Sequence, residues 1–256
     1  MEIQEQETVG EIAAASTSAA SVLEKYGIDY CCAGKSLFEE VCREKGLSPA
    51  AVKNEIANAV TALPKEAKDW TAAPLRQLIR HIVTSHHEYL KLELPRVGQR
   101  LRKVVEVHGE EDPAALHELE SVYDALSQEM NFHMHKEEMM LFPAIERYEA
   151  AMQSGSPLPP APFGSIANPI AVMEGEHDSA GRALGRIREL TIDFQAPPYA
   201  CSTYHAMLDG LKALETDLHT HIHLENNILF PRVIALERQF SRDNKGPGSG
   251  WAVCRS

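Results

Sequence analysis

The chain has 256 residues and a formal net charge of −12, with 44% apolar and 6% aromatic residues. That length holds one sizeable domain plus a smaller one, and that apolar fraction supports a packed core rather than disorder. The acidic balance argues against a protein whose main task is neutralising phosphates, so neither nucleic acid nor a membrane surface is an expected partner.

The first residues, MEIQEQETVGEIAAAS, lack the basic stretch and apolar run of a secretory signal. No segment approaches the ~20 apolar residues of a membrane helix. The expected location is therefore cytoplasmic. The cysteines are Cys31, Cys32, Cys42, Cys201 and Cys254, an odd number without regular spacing. They read as reduced thiols, not as a disulfide framework or a zinc finger.

In chain order, residues 1–62 carry four short helical signals. Thr8 can cap a first helix and Ser18 a second, while Ser48-Pro49 opens AAVKNEIANAV with a cap followed by proline at the first helical position. Between the second and third signals lies YGIDYCCAGKSLFEE, a loop punctuated by Gly27 and Gly34. A linker is expected over 63–74, with prolines at both ends. Residues 75–240 read as four long helices. The first is expected to bend near Pro95, Asp112-Pro113 starts the second, Asn168-Pro169 the third, and Pro197-Pro198 precedes the fourth. The Pro-rich QSGSPLPPAPFGS suggests by its length a crossover rather than a tight hairpin. A loose tail is expected over 241–256. Nothing reads as a strand, so the class is all-α.

An internal repeat carries the chemistry. His133-Met-His-Lys-Glu137-Glu-Met-Met-Leu-Phe-Pro143 aligns with His221-Ile-His-Leu-Glu225-Asn-Asn-Ile-Leu-Phe-Pro231, and each copy has a further histidine upstream, His87 and His177. The separations are 46 residues from His87 to His133 and 44 from His177 to His221. Residues four apart on a helix are ~40° from eclipsed, so each His-x-x-x-Glu pair points one way. Two such pairs and one histidine from each remaining helix bring four imidazoles and two carboxylates into one cavity. Carboxylates can bridge two cations, and six side chains leave coordination positions for small ligands. Iron suits this mixed nitrogen–oxygen set best, with manganese second and zinc less suited. A lone helical histidine is commonly a packing or surface residue, and a lone i,i+4 His–Glu pair a helix-stabilising contact; the duplication is what favours metal. His135, His219 and His223 face away from the ligand side, and His81, His108, His117 and His205 read as surface or packing residues. Glu129, one turn before His133, and Glu176, beside His177, read either as groups supporting the ligands or as exposed helix carboxylates. Pro143 and Pro231 should loosen the backbone one turn beyond the ligands, or end the helix there.

HHEYLKLELP, HMHKEEMMLFP, GEHDSAG and HIHLENNILFP resemble the hemerythrin-like domain of the iron–sulfur cluster repair di-iron proteins (the Repair of Iron Centres family), and YGIDYCCAGKSL resembles the vicinal-cysteine motif of that family's small N-terminal domain. The resemblance covers nearly everything from Thr8 to Phe240. It implies a hemerythrin-like four-helix bundle holding a μ-oxo-bridged pair of iron ions on His87, His133, Glu137, His177, His221 and Glu225. It favours His87 over His86 as a ligand. It further implies that Cys31 and Cys32 act in function, that Glu129 and Glu176 line a route to the metals, and that the chain is a homodimer. The expected activity is repair of iron–sulfur clusters damaged by oxidative or nitrosative stress, by iron donation or redox chemistry on nitric oxide. Damaged iron–sulfur proteins are the expected partners, with nitric oxide or oxygen as small ligands. The alternative is a hemerythrin-like oxygen or nitric-oxide sensor. From the residues alone, Cys31-Cys32 could exchange with a partner thiol, accept a metal, take a nitrosyl group, or be two small buried apolar groups. Cys42, Cys201 and Cys254 read as incidental.

Overall fold

The computed structural model describes residues 3–4, 6–62, 69–158 and 162–243. Those residues are helical apart from turns and loops, with one isolated antiparallel bridge between Thr8 and Leu37. Cys254, most of the 241–256 segment, the first half of the 63–74 linker and part of the Pro-rich loop lie outside the described residues.

The N-terminal part holds α1 (Val9–Ala15), α2 (Thr17–Lys25), α3 (Phe38–Glu44) and α4 (Pro49–Ala62). Thr8 and Glu11 form a reciprocal capping box on α1. Ser16, not Ser18, caps α2: its hydroxyl accepts from the Ser18 N–H at 3.2 Å. One residue separates α1 from α2, so the only extended position available for a cap is Ser16.

Four antiparallel rods form the bundle. The first (75–108) is α5 (Leu75–His81), a π-helical turn (Ile82–His87) and α6 (Glu88–His108). The second (113–154) is α7 (Pro113–Lys136), a π turn (Glu137–Leu141) and α8 (Phe142–Ser154). The third is α9 (Ala167–Leu190). The fourth (202–243) is α10 (Ser202–His223), a π turn (Leu224–Leu229) and α11 (Phe230–Asp243), so helix persists into the segment read as tail. Asp112 caps α7 with Pro113 in its first turn. The first rod stays helical through Pro95, and it holds a π-helical turn earlier, at Ile82–His87.

The connection expected as a crossover joins neighbours. Arg186 pairs with Glu118 and His177 meets His133, so α9 runs antiparallel beside α7. The loop is long because the second rod runs on through the 13 residues of α8, beyond the π turn that begins at Glu137. Nor does the linker hang free at its described end, since Arg232 donates to the carbonyls of Trp70 and Ala73 at 2.8 and 2.6 Å. Buried Glu149 on α8 accepts from the N–H groups of Leu75 and Arg76, supplying the cap that Pro74 cannot.

Two apolar clusters flank the middle of the bundle. One unites Leu94, Tyr123 and Leu218 of the rods with Ile12, Leu23 and Phe38, so the N-terminal helices share a core with the bundle. The other gathers Leu78, Ile145, Met173 and Phe230 at the opposite end. The polar residues of the repeat lie between them.

Candidate metal centre

Glu137, Glu225 and His87 lie in the π turns, His133 and His221 about one turn ahead of them, and His177 on the uninterrupted α9. Pro143 and Pro231 have no N–H to bond the carbonyl four residues back, and their rings crowd that carbonyl. The chain widens ahead of each: Phe142 donates to the Glu137 carbonyl and Phe230 to the Glu225 carbonyl, five residues back. The loosening expected of these prolines therefore takes the form of a π turn at each carboxylate.

The structure brings the six repeat residues together, each at most 1% exposed. They divide into two groups that share both carboxylates: His87 and His221 with Glu137 and Glu225, and His133 and His177 with the same pair. Glu137 places Oε2 3.4 Å from His87 Nε2 and Oε1 3.3 Å from His133 Nε2. Glu225 places Oε1 3.1 Å from His221 Nε2 and Oε2 3.2 Å from His177 Nε2. The imidazoles meet in pairs, His87 Nε2 to His221 Nε2 at 3.1 Å and His133 Nε2 to His177 Nε2 at 3.0 Å.

This donor set fits cations. None of the four carboxylate oxygens receives a well-aimed hydrogen bond among the described residues, although imidazole nitrogens stand within 3.4 Å. In each group of four, one donor atom from every residue lies within 4.8 Å of the others, a spacing that could hold an ion. Two buried carboxylates without donors cost several kcal/mol each, and a cation between them offsets that cost. Burial favours the neutral form of His133, but Glu137 and Glu176 outweigh it and hold the imidazole up to about 10. His87 is raised against burial by Glu137. Burial holds His221 down. Burial pushes Glu225 up, yet His221 and His177 hold it well below the usual carboxylate range. Protons on these imidazoles and metal on the same nitrogens are alternatives.

Three of the four imidazoles are oriented from behind. His87 Nδ1 meets Glu138 Oε1 at 2.8 Å, and Lys91 donates to both oxygens of that carboxylate. His133 Nδ1 meets Glu176 Oε2 at 2.9 Å, and Lys136 pairs with the other oxygen. The bond to His133 holds Glu176 down to about 2. His177 Nδ1 meets Asn226 Oδ1 at 2.8 Å. Such partners fix ring orientation and strengthen the ligand. Glu176 thus touches the cluster. Glu129 is instead exposed on α7, although it lies one turn before His133. His86 is buried but bonds Asp217 at 2.9 Å and stacks on His221, so its nitrogens stay outside the cluster. His135 is exposed, whereas His223 is buried, edge-on to Tyr30.

The cysteine loop lies directly against the centre. Asn226 Nδ2 donates to the Cys31 carbonyl at 3.1 Å, and Asn227 Nδ2 to the Tyr30 carbonyl at 2.8 Å. Cys32 Sγ is 3.5 Å from the carbonyl of His177. Gly181, one turn on, makes room for that sulfur, since a Cβ there would stand 2.9 Å from it.

Comparison with known proteins matches this architecture in both parts. Residues 78–233 match the hemerythrin HHE cation binding domain, and residues 5–60 match a domain of unknown function, ScdA_N (DUF542). The iron–sulfur cluster repair proteins YtfE of Citrobacter koseri, Escherichia coli O8 and Shigella boydii serotype 4 are each 37% identical over 229 residues, which is 90% of this chain and 97% of theirs. The chain belongs to the YtfE family.

Within this family fold, several contributors were not legible in the sequence. Glu138 and Asn226 follow the two shared carboxylates and so occupy equivalent places in the repeat, where they serve His87 and His177 respectively. Their position beside Glu137 and Glu225 was the available signal. Cys201 is exposed at the start of α10, and His108 Nε2 lies 3.3 Å from its sulfur. That contact, with the N–H groups of the helix start, lowers the thiol to about 7. The pair is separated by 93 residues, and nothing in the sequence joins them.

Proposed function

We propose that this protein repairs iron–sulfur clusters damaged by oxidative or nitrosative stress. The observation that carries the reading is the joining of two features: two His/Glu clusters that share Glu137 and Glu225 and could each hold a cation, and a cysteine pair whose Cys32 sulfur packs on the carbonyl of His177. The family relatives are named for this repair. An oxo-bridged pair of iron ions is the cofactor proposed, held by His87 and His221 on one side, His133 and His177 on the other, and both carboxylates between. Bound there, iron supplies one-electron redox chemistry and an exchangeable store of ferrous ion.

The chain's own residues set the conditions. Apolar clusters above and below the ligands exclude bulk water, which strengthens every charge interaction between them. Glu138 and Glu176 retain the Nδ1 protons of His87 and His133, leaving Nε2 free to bind metal. Lys91 and Lys136 compensate the charge of those carboxylates at the protein surface. Asn226 keeps the Cys31–Cys32 backbone seated beside His177.

The partners that follow from this reading are damaged iron–sulfur proteins, with nitric oxide or oxygen as small ligands. The same reading places the protein in the cytoplasm as a homodimer; no helix among the described residues is long and apolar enough to cross a membrane. The test is reactivation of a cluster enzyme inactivated by nitric oxide. Iron-loaded protein should restore activity, and Cys31→Ala/Cys32→Ala should restore less. Recovery no greater than with free ferrous iron at the same concentration overturns the proposal.

A further inference from the structure

Asp29, Cys31 and Cys32 form a third cluster of metal-ligating atoms, separate from the two in the bundle. The thiols are free, with Cys31 Sγ and Cys32 Sγ 3.7 Å apart. Two thiolates ~2.3 Å from one tetrahedral ion stand about 3.8 Å apart, so the loop already holds the sulfurs at the spacing of two ligands. A disulfide would need them at ~2.0 Å. Asp29 sets this geometry: its Oδ1 accepts from the N–H groups of Cys31 and Cys32 at 3.1 and 2.9 Å and stands 3.2 Å from Cys31 Sγ. The cluster is graded in exposure. Cys31 is buried, Cys32 is half-buried and Asp29 is exposed, which gives an ion an entry side and a buried wall.

We propose that Asp29, Cys31 and Cys32 are a mononuclear site for a thiophilic divalent cation, ferrous iron in transit between the bundle and an acceptor. Two thiolates and a carboxylate carry three negative charges, which one divalent ion largely neutralises. Cation binding displaces the thiol protons and releases them to solvent, and no electron is transferred. Placement supports transit. Cys32 Sγ touches the carbonyl of His177, whose ring is a bundle ligand, and Asn226 bonds both that ring and the Cys31 carbonyl. Gly181 is a positioning residue for this site, because an alanine there would displace Cys32 Sγ without removing a donor atom.

The transit role rests on the iron-donation reading; the site itself is tested apart from it. Iron-loaded full-length protein carrying Cys201→Ser/Cys254→Ser is titrated anaerobically with Cd2+, and thiolate-to-cadmium absorption is followed alongside proton release and retained bundle iron. The expected result is one Cd2+ per chain with proton release and no loss of bundle iron. Cys32→Ser should abolish the absorption. Asp29→Asn, which keeps the backbone hydrogen bonds but not the charge, and Gly181→Ala should each weaken binding at least tenfold. Ferrous iron should bleach the band in competition. No absorption, absorption unchanged in Cys32→Ser or Asp29→Asn, absorption gained only as bundle iron leaves, or no competition by ferrous iron overturns the proposal. Circular dichroism confirms that each variant is folded. Failure of the cluster-reactivation assay with cadmium binding intact overturns iron donation and leaves the thiolate site standing.

Discussion

Glu138 and Asn226 hold the same place in the two halves of the repeat, and each orients one histidine through Nδ1, His87 at 2.8 Å and His177 at 2.8 Å. They differ in what stands behind them. Glu138 is a carboxylate backed by Lys91, whereas Asn226 is neutral and turns its amide to the Cys31 carbonyl. The twofold repeat is thus broken chemically where the N-terminal helices dock, and the two candidate cation clusters are not equivalent.

Removing Asn226 tests that asymmetry. Asn226→Ala should lower metal affinity ~10–100-fold at the His133–His177 site, the range for losing a group behind a ligand, with the His87–His221 site little changed. Chelator competition should then resolve two affinities. Amide exchange over residues 29–33 should rise together with this, because the same side chain seats the Cys31 backbone.

Each carboxylate serves both sites, whereas each histidine serves one. Glu225→Ala should therefore deplete both metals, while His87→Ala should deplete the His87–His221 site first, as measured by iron per chain after purification. In metal-free protein Glu225→Gln removes a charge that His221 and His177 favour, and should lower stability in urea near neutral pH.

Cys201, not the vicinal pair, should be the thiol that reacts fastest with iodoacetamide near neutrality. Its thiol is lowered to about 7 by His108, and it is exposed. The rate should climb between pH 6 and 8 and then level, since the thiolate is the nucleophile. His108→Ala should shift the rise upward. Peptide mapping of the alkylated protein identifies the site.

Acid should loosen the seat of the cysteine loop. Burial lowers His223 to about 4, and its Nδ1 accepts from Asn227, which also holds the Tyr30 carbonyl. The unfolded chain takes up a proton below ~6.5 that the folded chain refuses until about 4, so the unfolded state binds more protons in that window. Stability is complete above 6.5 and falls as pH drops towards 4, by on the order of 3 kcal/mol. Hydrogen exchange of the Tyr30–Gly34 backbone should accelerate over that range, and His223→Gln should flatten the dependence.

The sequence by itself determined the helical class, the twofold pattern of His-x-x-x-Glu with an upstream histidine, and the capping signals at Thr8, Ser48 and Asp112. These are local properties: periodicity, spacing and cap chemistry act within a turn or two and can be read along the chain. Which histidine belongs to which site depended on how four rods pack, because His87 pairs with His221 across 134 residues and His133 with His177 across 44. Glu129 and Glu176 looked alike as helix carboxylates near a ligand, and packing separated them: Glu176 faces His133 across the α7–α9 seam, while Glu129 faces solvent. The Cys31–Cys32 motif was visible, but its contact with Asn226, His177 and Gly181 was not. Those residues lie more than 140 positions away and meet the loop only because two helical parts share one apolar core.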